Sequence, residues 1–337
     1  QRIKKISGLI SDELLISKEK IEIASSICKV DLLSDLVGEF PELQGVLGGY
    51  FADSQGFEKE VCIAIKEHYL PHGTDSKIPK KLYSVALSLS DKIDTLIGFF
   101  AIGLKPTSSK DPYALRRLTI GVIKIILENK IKLKLRDFIN YSCQLYINQN
   151  VGLDIKNVQK DVTSFFHDRF KNYMKDNGIR HDIIESATLS YNLDNILKIY
   201  SKASILNKII SKEVGADVIF SYKRAFNILI NESKNIDIDV SGNVDTGLFK
   251  NDFEKNLYKK IHNIKKDFAN VAKEDDYKGL LLNLASVKKE VTDFFENVIV
   301  NDSDINIKKN RLELLKMLCK TFDNYFNFSR IESLSWK

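Results

Sequence analysis

The sequence is poor in the devices that constrain small or exported proteins. Its 337 residues include four cysteines and five prolines, and every proline (Pro41, Pro71, Pro79, Pro106, Pro112) lies in the first third. Cys28, Cys62, Cys143 and Cys319 are far apart and sit mostly among apolar residues, which excludes a CxxC metal pair and a dense disulfide framework. They read as buried thiols of a reducing compartment. No apolar run approaches the roughly 20 residues of a membrane-spanning helix, and charges interrupt Gln1 to Glu22 throughout, so neither a span nor a secretory leader is expected. Strand-type alternation and internal repeats are also missing, which makes an all-α fold the expectation. The glycine-rich GVLGGY (Gly45 to Tyr50) lacks the spacing and the following lysine of a phosphate loop, and reads as a turn with close helix packing.

What is present is cationic and helical. Lys and Arg number 51 against 45 Asp and Glu, giving a formal charge of +6. That balance is weak evidence of an anionic partner, because an AT-rich coding bias also enriches lysine, asparagine and isoleucine. Distribution is more telling: Lys110 to Arg136 holds eight cations (Lys110, Arg116, Arg117, Lys124, Lys130, Lys132, Lys134, Arg136) and two acids (Asp111, Glu128). The concentration suits either a nucleic-acid footprint or a solvated face. Within GLKPTSSKDPYALRR (Gly103 to Arg117), Asp111 reads as a helix cap and Pro112 as the first helical residue. Leu115, Leu118, Val122 and Ile125 then mark one apolar face at the helical period. Cations at a helix start oppose the helix dipole, so Arg116 and Arg117, with Lys110 beside them, either face an anion or pair with carboxylates of the same fold.

The breaker-rich first part reads as several helices joined by structured loops, and the rest as longer helices. Spacing predicts helices at 82–98, with Val85, Ala86, Leu89, Ile93, Leu96 and Ile97 inward, and at 156–176, with Val158, Val162, Phe165, Phe166 and Phe170 inward. Asn177 and Gly178 stop the second of these. Further helices are expected near 213–232, 249–272, 276–299 and 304–326, with a loop from Ser233 to Thr246. Phe294, Phe295, Phe322, Tyr325 and Phe326 recur at helical spacing and are expected in the core.

KDPYALRR (Lys110 to Arg117) resembles an element of the β subunit of bacterial heterotetrameric glycyl-tRNA synthetases. DLVGEFPELQGVLGGYFA (Asp35 to Ala52), AIKEHYLP (Ala64 to Pro71), SDKIDTLIGFFAIG (Ser90 to Gly103), YKRAFNIL (Tyr222 to Leu229) and KNRLELL (Lys309 to Leu315) resemble that family in the same order. The resemblance covers essentially the whole chain and implies the C-terminal half of such a subunit. It implies an HD-like helical domain over 1–145 with a degenerate metal site, a helical connector over 146–212, and over 213–337 an anticodon-binding helical bundle similar to that of arginyl-tRNA synthetase. Asp31, His68 and Asp91 are the remnant of the metal site; Asp31 stands where the central aspartate belongs, but Val30 replaces the histidine before it and cannot ligate. His72 and Asp94 are further candidates, and capping or ion pairing with Lys92, Arg116 or Arg117 is the expected role of the acids. No metal is expected.

By the same resemblance, Lys110, Arg116 and Arg117 would meet the acceptor side of tRNA-Gly. Lys223, Arg224, Asn227, Lys308, Asn310 and Arg311 would meet the anticodon side, where planar hydrogen-bonding groups suit unstacked bases. Lys308 departs from the family's arginine, and Arg311 and Asn227 serve equally well as residues that tie helices together. No catalytic residue and no cofactor is expected in this chain, since the family's ATP- and Mg-dependent glycine activation belongs to the α subunit, its partner in an assembly of two α and two β subunits. The implied setting is the cytoplasm. The alternative is a metal-dependent HD phosphohydrolase acting on nucleotides.

Overall fold

The computed structural model describes residues 1–73, 76–107, 110–149, 154–188, 196–233, 242–271 and 276–332. Among the described residues there are sixteen α-helices, several short 3-10 turns and no strand, so the expected all-α class is what forms. Backbone packing divides the chain into two units, Gln1–Tyr173 with Asn192–Leu197, and Met174–Tyr191 with Lys198–Lys337. The division falls inside the 146–212 segment expected as a connector, whose long helix belongs to the first unit as far as Tyr173.

The first unit runs through α1 (Arg2–Leu14), α2 (Lys18–Ile27), α3 (Asp35–Glu39), α4 (Val46–Ser54), α5 (Lys59–Glu67), α6 (Leu82–Ala101), α7 (Leu115–Glu128), α8 (Leu135–Ile147) and most of α9 (Ile155–Asp176). α6 is its axle, packed against α1, α2, α5, α7 and α8. Val85, Ala86, Leu89, Ile93, Leu96 and Ile97 are all buried as their spacing predicts, but so are Ser84, Ser88, Ser90, Asp91, Lys92 and Asp94. A helix enclosed on every side must satisfy its polar residues internally. α9 stops at Gly178, which takes a left-handed φ of 75° and donates its N–H to Lys175 O.

The second unit holds α10 (His181–Thr188), α11 (Ile196–Ile209), α12 (Glu213–Ser233), α13 (Asp252–Val271), α14 (Tyr277–Ala285), α15 (Lys288–Asn297) and α16 (Ile305–Asp323). α12 and α13 each pack on α14, α15 and α16 around Tyr222, Phe294, Phe322 and Phe328. The single helix expected over 276–299 is two, because the chain turns at Ser286 and Val287. Buried Leu280, Leu284, Val287, Val291 and Phe294 keep helical spacing through the turn, so periodicity could not reveal it. The loop expected from Ser233 to Thr246 lies largely outside the described residues. No described helix is long and apolar enough to cross a membrane.

The start of α12 lies hard against the end of α11. A Cβ on Gly215 would stand 2.4 Å from Ile210 Cα and 2.5 Å from Ile209 O, and backbone cannot swing away as a side chain can. Gly215→Ala is expected to cost about 1–3 kcal/mol, read as a lower urea midpoint with unchanged m-value.

Candidate nucleic-acid interface

α12 divides its residues between two jobs. Val218, Tyr222 and Ala225 face the core, while Phe220, Arg224, Asn227 and Asn231 follow one another at i, i+4, i+7 and i+11 on another side. The Arg224 guanidinium carbon lies 4.6 Å from the centre of the Phe295 ring and 5.6 Å from that of Phe220. A cation close to an aromatic face is attracted by the ring quadrupole, and a guanidinium is itself a planar group on which another planar group can stack. Phe295 also lines an open groove of about 310 Å³, with Ile228, Asn231, Ile299 and Asn301 among its walls. Phe294, Phe322, Tyr325 and Phe326 are buried as expected, whereas Phe295 is only half-buried and belongs to this surface.

The far wall of the groove is a turn of irregular backbone, and the residues read from the sequence as base readers hold it in place. Arg311 is buried; its Nε donates to Glu254 Oε1 at 2.7 Å, and its Nη1 donates to Ile299 O at 2.9 Å and to Asp302 Oδ2 at 2.7 Å. The other Glu254 oxygen accepts N–H groups of Lys250 and Asn251 at the start of α13. Lys308 pairs with Glu232 at 2.7 Å, and Glu232 accepts from Asn301 Nδ2 at 3.0 Å. Asn310 is buried too, accepting from Asp245 N at 2.7 Å and donating to Asp245 O at 2.9 Å. Lys223 donates to Ser329 O at 3.1 Å, and burial pushes its pKa down.

Asn310 and Arg311 therefore do not offer their side chains to a ligand, and for them the helix-tying alternative is the one the geometry realises. Lys308 and Lys223 are engaged within the fold as well. Only Arg224 and Asn227 of the six present themselves at the surface, Asn227 being exposed. Sequence reasoning missed Asn231, Phe295 and Asn301. The signal available for Asn231 was its position four residues after Asn227 on the same stripe.

In the first unit, the Asp111 carboxylate caps as expected, accepting from Leu115 N at 2.9 Å and Arg116 N at 3.0 Å. Pro112 is not the first helical residue, however. It lies in a turn ahead of Ala114, whose φ of 55° admits the chain to α7 three residues later. Lys110 and Arg117 are exposed, and Arg116 donates to Thr107 O. Tyr113 is exposed over Phe99, the ring centres 4.2 Å apart, beside a groove of about 180 Å³ that Lys105 and Lys110 help to line.

Asp31, His68 and Asp91 are all buried, Asp91 within α6 itself. Asp31 Oδ2 accepts from Gly45 N at 2.6 Å and Gly48 N at 3.3 Å, at the start of α4, where the helix dipole favours a negative charge. Asp91 pairs with Lys29 at 2.8 Å and Asp94 with Arg2 at 2.8 Å, so the pairing partners are not Lys92, Arg116 or Arg117. Lys92 instead donates to Leu70 O at 2.9 Å, Ser88 Oγ at 2.9 Å and Tyr69 O at 3.1 Å, and burial pushes its pKa down to about 8. Among the described residues no three His, Cys, Asp or Glu side chains are grouped closely enough to hold a metal ion. His68 is a neutral ring, its Nδ1 bonded to Ile65 O, its pKa driven down to about 4 by burial and then by Lys29.

Two outcomes follow from these buried groups. Arg311→Ala strands the Glu254 carboxylate and is expected to cost about 3–5 kcal/mol in a urea melt, with Glu254→Gln in the same chain recovering part of the loss. His68 stays neutral in the folded protein down to about pH 4 but titrates near 6.5 when unfolded, so the unfolded state binds the extra proton in between. Its stabilisation is full above pH 6.5 and is lost as pH falls to about 4. The loss is about 3 kcal/mol, and His68→Leu should flatten that segment of the stability profile measured by urea melts.

A family profile described as glycyl-tRNA synthetase beta subunit matches residues 1–189, and one described as DALR anticodon binding domain matches residues 218–335. The curated relatives include the glycine–tRNA ligase beta subunit of Rickettsia typhi, 39% identical over 310 residues, or 91% of this chain and 44% of the relative. That of Rickettsia conorii is 37% identical over 332 residues, 98% of this chain and 47% of the relative. The chain thus spans about half the length of the curated relatives it matches, their C-terminal half. With both helical units matched in order, and the second unit's groove inside the matched anticodon-binding segment, the chain belongs to the glycyl-tRNA synthetase beta subunit family.

Proposed function

We propose that this chain is a tRNA-binding part of a glycine–tRNA ligase beta subunit. The second unit receives the anticodon, and the first meets the acceptor side and helps position the 3′ end for glycylation on the α subunit. The observation that carries this reading is the Arg224–Phe295 platform at the mouth of the α12 groove, inside the segment similar to a DALR anticodon binding domain. An unstacked base laid on the platform would gain about 1–3 kcal/mol from stacking. Asn227 and Asn231 are placed to address its edge, since carboxamides match the paired donor and acceptor of a base. Lys110, Arg117 and the neighbouring Arg116 supply charge for phosphates on the acceptor side, with Tyr113 as a second stacking surface. In this reading the chain contributes orientation rather than bond making. ATP and Mg act on the α subunit, in an assembly of two α and two β subunits in the cytoplasm.

Filter binding of tRNA-Gly and a non-cognate tRNA at several salt concentrations tests the proposal. Arg224→Ala or Asn227→Ala is expected to cost about 1–3 kcal/mol preferentially for tRNA-Gly. Lys110→Ala with Arg117→Ala is expected to weaken all tRNAs alike and to lower the salt slope by about one per lost phosphate contact. A chain that binds both tRNAs equally, with Arg224→Ala indistinguishable from the parent, would overturn the anticodon assignment.

A further inference from the structure

A second groove in the second unit has no part in the function proposed above. It runs between α13 and α15, which pack on each other, and encloses about 290 Å³, the small end of the range for ligand pockets. Asn256, Lys259, Lys260 and Asn263 line it from α13, at i, i+3, i+4 and i+7 on one helix face, and Lys289 and Glu290 line it from α15. Phe253 adds an aromatic ring one turn before Asn256.

Two features of this groove point to a ligand. The first is that its cations are uncommitted. Among the described residues Lys259, Lys260 and Lys289 form no ion pair, although carboxylates of α15 line the same groove, whereas the neighbouring Lys255 and Lys288 are held by Asp252 at 3.1 Å and Asp217 at 2.6 Å. The second is Glu290. Its Oε2 is shut from water, and among the described residues no donor reaches it. A buried polar atom without a partner is uncommon in a folded protein. Glu290 lies in the first turn of α15, where the helix dipole favours a negative charge, so its carboxylate acts only as an acceptor.

Lysines attract a phosphate, and an acceptor-only group selects what is attached to it. Cytosine, adenine and guanine carry an exocyclic amino group that donates to a carboxylate, while uracil flanks its one N–H with two carbonyl oxygens that a carboxylate repels. Single-stranded RNA exposes these edges. α15 is also the ridge between this groove and the one beside Arg224, since Glu290 and Phe295 are five residues apart, about 140° around the helix axis, and Phe295 lines the other groove. A strand that crosses one helix, about 10 Å wide, meets both.

We propose that the α13–α15 groove is a second nucleotide subsite for single-stranded RNA, with phosphate on Lys259, Lys260 and Lys289 and an amino-bearing base on Glu290. The exposed Asn256 and Asn263 are placed for the remaining polar edge of the base. This rests on the RNA-binding role proposed above and adds a selectivity to it: the subsite accepts cytosine, adenine or guanine and rejects uracil.

Fluorescence anisotropy of labelled cytidine and uridine hexamers against this chain tests the proposal, the two pyrimidines being alike in size. The cytidine hexamer is expected to bind at least about fivefold tighter. Glu290→Gln should close that gap, because a carboxamide turns a donor toward a uracil carbonyl as readily as an acceptor toward a cytosine amine. Lys259→Ala with Lys289→Ala should weaken both hexamers equally and lower the salt slope by about 0.7 per lost phosphate contact. Both lysines are exposed and Glu290→Gln keeps the side chain's shape, so the thermal melts should match the parent. Equal affinity for the two hexamers, binding of neither, or a gap that Glu290→Gln leaves intact overturns the proposal. Cytidine monophosphate that competes as strongly as the hexamer overturns it too, since a free nucleotide would then be the occupant. Arg224→Ala read with tRNA-Gly and a non-cognate tRNA judges the anticodon assignment separately: equal binding of the two tRNAs would sink that reading, while a Glu290-dependent preference for cytidine would keep the subsite.

Discussion

A guanidinium shut away from water must find its acceptors inside the protein, and the second unit is organised around how Arg311 does so. Its donors reach Glu254 on α13, the carbonyl of Ile299 and the carboxylate of Asp302, so one side chain joins α16, the start of α13 and the turn after α15. Charge-assisted bonds of this geometry are strong when complete and costly when one partner is lost. Glu254 is shared between Arg311 and two backbone N–H groups at the start of α13, which couples the helix terminus to the groove wall. Without that anchor, the irregular backbone around Ile299 would have no regular ladder to hold it. The groove owes its far wall to a side chain buried behind it.

The first unit meets the same problem with a different solution. α6 is buried on all sides yet carries Asp91, Lys92 and Asp94 within about one turn. Each has a dedicated partner from another element: Lys29, the carbonyls that follow α5, and Arg2. The positions read from the sequence as a metal-site remnant are thus occupied by protein charges and backbone N–H groups. Helix positions are specified as much by this polar accounting as by the apolar residues between.

Most of the architecture was legible in the sequence because helical periodicity survives burial: the face of α6, that of α9 apart from the half-buried Phe165, and the stop at Gly178 all follow from spacing and a single glycine. The break at Ser286 was hidden since the apolar spacing continues across it. Pro112 misled for a related reason. Asp111 does cap the helix, but through a turn that Ala114 completes with an uncommon backbone conformation. At the candidate interface the motifs were found and the roles were not. Arg224 and Arg311 are the same residue type in equally basic contexts, and only the position of Glu254, 57 residues from Arg311, assigns one to the interior. Long-range pairing of this kind leaves no local mark.

α12 carries a constraint of another kind. Its Tyr222 packs among Phe226, Phe322 and Phe328, while Arg224, Asn227 and Asn231 look the other way. Each residue advances a helix by about 100°, so removing one residue between Tyr222 and Asn231 would turn every later side chain by that angle. The core would still accept many single replacements, but such a deletion would swing the amides out of the groove and apolar groups into it. This segment can therefore drift in composition but not in length.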